Sequence, residues 1–320
     1  RFESCRDRHF LCFSEDLMRI ILGLVFSFMF AGASFAQGPT LVWEAKGLAR
    51  PESVIHDPAT DVLYVSNING AVMQKDGNGF ISRLKSDGTI LERNWATGFD
   101  SPTGLGLRDR TLYVADVDAL VEVDAASGSI KKRHPANGAI FLNDVAVAED
   151  GTVYVSDTPM NTIWRLKDGV FEPWLTSDEL EGPNGLLVEG DKLTVASLGR
   201  LKSVGQEQEP AGMFSVNLED QTIEPLAKGK TIGNLDGLQV LKPGAYLVTD
   251  WPDGALYQVN ADGKVDLLID LNQGSADLTY SPETGIALIP MMLDNSLAAY
   301  RLSAPADSKS DGKKDDKKKK

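Results

Sequence analysis

The segment Val62-Leu-Tyr-Val-Ser-Asn67 returns as Thr111-Leu-Tyr-Val-Ala-Asp116, Thr152-Val-Tyr-Val-Ser-Asp157, Lys192-Leu-Thr-Val-Ala-Ser197 and Ala245-Tyr-Leu-Val-Thr-Asp250. A weaker sixth copy is Gly285-Ile-Ala-Leu-Ile-Pro290. Each is rich in β-branched and aromatic residues with partial alternation, which suits a strand that is half or wholly buried. The copies lie about 40 to 50 residues apart, a spacing that belongs to propeller blades rather than helical repeats.

The surroundings of each copy repeat as well. Upstream lies a short apolar run: Gly104–Leu107, Val145–Ala148, Gly185–Val188 or Gly237–Val240. Downstream comes a third run, such as Thr162–Leu166 or Ala255–Val259, then a turn such as Lys167-Asp-Gly169 or Ala261-Asp-Gly263, then a fourth run. Asp-Gly between apolar runs favours a hairpin, because glycine accepts positive φ without a steric penalty. The unit is therefore a four-stranded antiparallel meander, and neighbouring units must stack to bury its faces. Six units begin near Arg50, Asp100, Ile140, Glu181, Ile232 and Gln273. The last lacks a strand, which Leu41–Ala45 can supply from the other end, closing the ring and removing its free edges. The sequence thus predicts an all-β, six-bladed β-propeller over residues 37–303. Long helical periodicity is absent, so a doubly wound α/β fold is excluded.

The flanks read differently. Met18-Arg19 begins a short basic start, followed by an apolar run to Phe30 and small residues at Ser34 and Ala36, the pattern of a secretory signal peptide over 18–36. An uncleaved anchor is the alternative. Residues 1–17 are expected to be an upstream mis-start, and the Lys/Asp-rich 304–320 segment a disordered, solvated end. Cys5 and Cys12, the two cysteines, both precede Met18, so the mature chain has no disulfide, thiol nucleophile or cysteine metal site. The expectation is an exported, periplasmic or secreted monomer without stable membrane insertion. A formal net charge of -14 argues against nucleic-acid binding.

In a propeller the first strand of each blade lines the central channel, so the residues entering it converge at one mouth. That slot holds Glu52, Thr103, Asn143-Asp144, Asn184, Asp236 and Asp277 in the six blades. Taken singly, Asn184-Gly185 and Asp236-Gly237 are ordinary turn signals. An oxygen-bearing side chain in the same slot of every blade asks for more. Converging carboxylates repel, a cation relieves that repulsion, and an all-oxygen donor set suits a hard ion. Ca²⁺ is the first expectation, with Mg²⁺ and Zn²⁺ as alternatives.

These motifs resemble the gluconolactonase, regucalcin and luciferin-regenerating-enzyme family of six-bladed propellers, loosely, over about residues 41 to 303. The matching parts are Pro51-Glu52, Leu142-Asn143-Asp144, Pro183-Asn184-Gly185-Leu186 and Leu235-Asp236-Gly237. The resemblance implies Glu52, Asn184 and Asp236 as metal ligands, Asn143 and Asp144 on the substrate side, and a metal-dependent lactonase or ester hydrolase acting on a small molecule. Asp236, or else Asp144, is the candidate general base. Thr103 and Asp277 complete the substrate-side ring. Sugar-lactone hydrolases of this family carry Arg two residues before the third-blade Asn; here that position is Phe141. The alternative is a non-catalytic ligand- or protein-binding propeller in which a metal is structural. No Gly-x-Ser-x-Gly elbow is present. His56 and His134 are expected to be structural, as are the tryptophans, except that Trp251, just after a repeat, could reach a ligand.

Overall fold

The computed structural model describes residues 38–200 and 209–302. Residues 18–36, read above as a signal segment, the region before them and the Lys-rich end lie outside these residues. Within them are six four-stranded antiparallel sheets. Blade 1 is β2 (Pro51–Asp57), β3 (Val62–Asn67), β4 (Gly79–Lys85) and β5 (Ile90–Phe99); blade 2 is β6 (Pro102–Arg108), β7 (Thr111–Asp116), β8 (Ala119–Asp124) and β9 (Ile130–Pro135). Blade 3 is β10 (Leu142–Val147), β11 (Val153–Asp157), β12 (Thr162–Lys167) and β13 (Val170–Thr176); blade 4 is β14 (Pro183–Glu189), β15 (Lys192–Ser197), β16 (Met213–Asn217) and β17 (Ile223–Pro225). Blade 5 is β18 (Leu235–Lys242), β19 (Ala245–Asp250), β20 (Ala255–Asn260) and β21 (Val265–Asp270). Blade 6 is β22 (Thr279–Ser281), β23 (Ile286–Met291) and β24 (Ser296–Arg301), completed by β1 (Thr40–Lys46).

The six-bladed propeller is thus observed, and the repeated segment is the second strand of every blade. The closure also holds: β1 pairs antiparallel with β24 from Thr40↔Arg301 to Lys46↔Ser296. Among the described residues no helix is long and apolar enough to cross a membrane.

Most apolar clusters lie between blades, while Ile68, Ala276 and Met292 with Val72 and Trp251 cluster at the channel mouth. Tyr64, Ile81 and Phe99 of blade 1 meet Leu112, Val114 and Val121 of blade 2, all buried. The Tyr64 hydroxyl donates to Ala125 O of blade 2 at 2.6 Å, so the ring is satisfied at both ends. Trp95 lies against Tyr64 at 4.9 Å, Trp174 against Tyr154 at 5.1 Å and Trp164 against Phe171 at 5.3 Å between ring centroids, which assigns these tryptophans to packing.

One feature of the inner strands escapes the sequence pattern. In blade 1 Pro51 pairs with Asn67 and Val54 with Val65, so three steps on β2 oppose two on β3. The same extra residue occurs in blades 2 to 5, between Pro102 and Leu105, Leu142 and Val145, Pro183 and Leu186, and Leu235 and Leu238. In blade 6 Ser275 pairs with Met291 and Thr279 with Leu288, again one residue in excess. Every slot residue therefore sits in a β-bulge, a device that bends a strand and re-aims a side chain. The bulges free backbone N–H groups, and hydroxyls of the second strand take them up: Ser66 Oγ accepts from Ser53 N, Ser156 Oγ from Asp144 N and Thr249 Oγ1 from Gly237 N.

Candidate functional site

The glycines after the slots are not turns. Gly104, Gly185 and Gly237 lie within strands β6, β14 and β18. A Cβ on Gly185 would lie 2.2 Å from Asp236 O, one on Gly104 2.5 Å from Asn143 O, and one on Gly237 2.7 Å from the Asp277 Cα. These residues are glycine because the next blade's slot backbone passes against them, which draws the slots together around a narrow channel.

In blades 1, 2, 3 and 5 the last residue of the repeat holds the entry to the slot. Asp116 accepts from Asp100 N and Ser101 N, Asp157 from Ile140 N and Phe141 N, and Asp250 from Asn234 N. Asn67 Oδ1 accepts from Ala49 N in the same place. These buried acids orient backbone.

The slots divide into two sets. In one, the side chain joins neighbouring blades. Thr103 Oγ1 donates to Leu142 O at 3.0 Å. Asp144 takes Val145 N on one oxygen and Leu186 N of blade 4 on the other, both at 2.7 Å. Asp277 accepts from Ser53 Oγ at 2.6 Å, and its own N–H donates to Glu52 O, bridging blades 6 and 1. None of these three lines the cavity above the channel.

In the other set the side chains face that cavity, which encloses about 630 Å³ and is bordered by Glu52, Asn184, Asp236, Asn143, Phe141 and Trp251 among others. Asn143 Nδ2 donates to Thr158 Oγ1 at 3.2 Å, so its amide is held in place. Glu52 Oε2 and Asn184 Oδ1 are buried without a hydrogen-bond partner. An unpartnered buried acceptor of this kind is costly, and here two border one cavity.

The electrostatics agree. Burial, reinforced by Asp236, Asp277 and Asp144, holds the Glu52 carboxyl well above its ordinary range. Burial, then the Asp144 charge, pushes Asp236 up to about 8, against a hydrogen bond from the Asn184 side chain. Burial and Asp144 also raise Asp277 strongly, against the Ser53 bond. Asp144 rises only to about 6, since burial is offset by the N–H groups of Leu186 and Val145. Four acids at one channel mouth resist ionising together. Among the described residues no three His, Cys, Asp or Glu side chains are grouped to hold a metal. Glu52 and Asp236 supply two carboxylates, and the Asn184 amide oxygen is the available third donor.

His56 lies outside this set. It is four residues beyond Glu52 on β2, roughly 13 Å along the strand, and its Nε2 pairs with Asp61 at 3.0 Å. His134 is buried against Glu122 in blade 2.

Ile68, Thr158, Leu198 and Met292 also border the cavity, and no sequence motif points to them. Each directly follows a second strand. The repeats run toward the channel mouth, so the residue after the repeat enters the rim in five of the six blades, Trp251 among them as its place after a repeat suggests. The second-strand loops also bring Val72, Met73, Pro252 and Asp253 to the wall, and the loop before β18 brings Asn234.

No family model matches the chain, and no curated protein matches it. Solved structures do. A gluconolactonase from Xanthomonas campestris is 16% identical with a TM-score of 0.60, covering 82% of this chain and 89% of that one. The chain shares the propeller fold of gluconolactonases. It is similar also to a streptogramin B lyase, at 11% identity and a TM-score of 0.58, covering 83% of this chain and 98% of that one. A catalytically inactive virginiamycin B lyase variant from Staphylococcus aureus, studied with quinupristin, is 11% identical with a TM-score of 0.55, over 82% and 99% of the two chains. At these identities the likeness is one of fold.

Proposed function

We propose that the chain is an exported, metal-dependent hydrolase of lactones or related esters, working at the channel mouth. The observation that carries the proposal is the pair of unpartnered buried acceptors, Glu52 Oε2 and Asn184 Oδ1, bordering the same cavity as the raised Asp236 carboxyl. The fold shared with a gluconolactonase supports the reaction class. The residues present fit a hard divalent cation, Ca²⁺ before Mg²⁺ or Zn²⁺: Glu52, Asn184 and Asp236 offer oxygen donors only. Such an ion would polarise an acyl carbonyl and lower the pKa of water beside it.

The chain's own groups supply the rest. The ionised Asp236 carboxylate, which a cation at the floor would favour, is the form that can act as general base. It takes a proton from the attacking water. The water oxygen bonds to the acyl carbon, the acyl–oxygen bond breaks, and the departing oxygen recovers a proton from Asp236. Asn143, fixed by Thr158, offers its amide to the substrate side. Asp144 has both oxygens committed to backbone N–H groups and so positions blades 3 and 4 rather than exchanging protons.

The test is hydrolysis of a panel of lactones and esters with and without added Ca²⁺, comparing wild type with Asp236→Asn. The expected result is cation-dependent turnover that falls by at least two orders of magnitude in the variant; equal rates in both proteins refute it. A second reading, a non-catalytic ligand-binding propeller, is favoured by Phe141 at the place of the family's Arg. Cation-induced stabilisation without turnover of any substrate distinguishes it.

A further inference from the structure

The walls of the cavity select more narrowly than its floor. Among the described residues no Lys, Arg or His lines it; its charged lining residues, Glu52, Asp236 and Asp253, are all acidic. Along the wall, away from the floor, an anionic substituent such as a sugar-acid carboxylate or a phosphate meets Asp253 and no basic side chain.

The hydrogen-bond donors of the wall are largely spent within the protein. Asn234 Nδ2 donates to Leu198 O at 2.6 Å and to Glu209 O at 3.3 Å. Asn143 Nδ2 donates to Thr158 Oγ1, whose hydroxyl in turn donates to Pro183 O at 2.8 Å. A polyhydroxylated ring would lose water here and recover few bonds, which costs free energy for each unpaired group.

What the wall does offer is apolar surface. Phe141, Leu198, Trp251, Met73, Ile68 and Met292 border the cavity. The apolar surface continues outward: Met73 is exposed, as are Ile140, Met160 and Leu293, each next in sequence to a lining residue. A volume of about 630 Å³ is of the size that takes a drug-sized ligand; a bare five- or six-membered ring leaves most of it unfilled.

We propose that the ligand of this cavity is a neutral lactone or ester carrying an extended alkyl or aryl group, with its acyl carbon at the Glu52–Asn184–Asp236 floor and its apolar group along Phe141, Trp251 and Met73. The proposal rests on the hydrolase reading for the reacting group, and on the cavity wall alone for the apolar one. Phe141 is then a specificity-determining residue, presenting an aromatic face where a guanidinium would hold a polar or acidic substituent.

The test uses two matched series. One is γ-lactones with linear side chains from methyl to octyl, together with a polyhydroxylated and a carboxylated lactone, scored by kcat/KM. The other is the corresponding alkyl lactams, which resist hydrolysis, scored by calorimetric Kd in the presence of Ca²⁺. Each methylene that enters the cavity is expected to improve both readouts roughly three- to fourfold, and the polyhydroxylated and carboxylated lactones are expected to be the poorest substrates. Met73→Glu changes a side chain that is exposed at the outer part of the wall; it is expected to lower octyl-lactam affinity about tenfold, and more than it lowers that of the methyl member. Phe141→Arg is expected to flatten the chain-length slope and admit the carboxylated lactone. Lactam affinity that rises with chain length while no lactone is turned over supports the ligand class and overturns the hydrolase reading. Lactam affinity that is flat with chain length, or a preference for the polyhydroxylated lactone, overturns the inference even if hydrolysis is found.

Discussion

Removing divalent cations and raising the pH should unfold this protein progressively, and adding Ca²⁺ should reverse the trend. Asp236 has a folded pKa of about 8 against an ordinary 3.8, and burial raises Glu52 and Asp277 strongly in the same direction. Between those limits the folded chain holds protons that the unfolded chain has released. The folded state therefore binds more protons, and stability must fall as pH rises from about 5 to 8. Each proton so held contributes a slope on the order of 1 kcal/mol per pH unit. For a domain of this size that corresponds to roughly 2 °C in Tm per pH unit for one group, and more if two titrate together. Exposed acids with lowered pKa values, such as Asp124 and Asp150, act in the opposite sense, but their window lies below pH 4 and they do not mask the effect. A cation at the floor binds the ionised carboxylates, so the stabilisation by Ca²⁺ should be small at pH 5 and grow toward pH 8. The assay is thermal unfolding by circular dichroism across pH 5–8, in chelator and in millimolar Ca²⁺. A chelated protein whose Tm is flat or rises over that range, or a Ca²⁺ shift independent of pH, refutes the coupling of these carboxyls to a cation site.

Two further substitutions probe how the ring is built. Gly185→Ala places a Cβ 2.2 Å from Asp236 O, and the inner strands cannot separate without opening the channel. The expected cost is about 1–3 kcal/mol of stability with weakened Ca²⁺ binding, read by denaturant unfolding and calorimetry; Gly70→Ala, whose nearest neighbours are side-chain atoms at 3.4 Å and beyond, is the control and should change neither. Asp157→Ala strips the acceptor from Ile140 N and Phe141 N and should cost about 1–3 kcal/mol while loosening the Phe141 wall; unchanged unfolding together with unchanged alkyl-lactam affinity would show that the acid does not hold that loop.

The fold was legible because blade repetition is written in short-range pattern. The Val-Ser-Asn and Val-Ser-Asp endings, the Asp-Gly turns and the orphan strand Leu41–Ala45 each constrain neighbours, and β3, β7, β11, β15 and β19 fall on the repeated segments. The slot residues were legible too, since alignment of the repeats alone brings Glu52, Asn184 and Asp236 to corresponding positions. The division of labour among them was not. Whether a slot carboxylate faces the cavity or binds a neighbouring blade depends on bulge geometry and on which backbone N–H comes within reach, as Leu186 N does for Asp144. Those contacts join residues far apart in sequence, and no local pattern encodes them. The glycines misled for the same reason: Asn184-Gly185 reads as a turn locally, while the cause of the glycine is Asp236 O of the next blade.

That division also explains how a ring of like charges can be tolerated in a folded protein. Asp144 and Asp277 sit in the same ring as Glu52 and Asp236; both help to raise Glu52, and Asp144 also raises Asp236. Their own charges are met by the N–H groups of Leu186 and Val145 and by the Ser53 hydroxyl, which are contacts between or within blades and independent of any ligand. Glu52 and Asn184 have no such partners for their buried oxygens. The ring therefore spends part of its acidity on holding blades together and leaves the remainder unsatisfied at one face of one cavity. A propeller needing only closure could have satisfied every slot in the first manner, as Thr103 does with a neutral hydroxyl. Unpartnered acceptors are retained in blades 1 and 4, beside the raised carboxyl of blade 5, and it is this remainder that the proposed cation-assisted site would use.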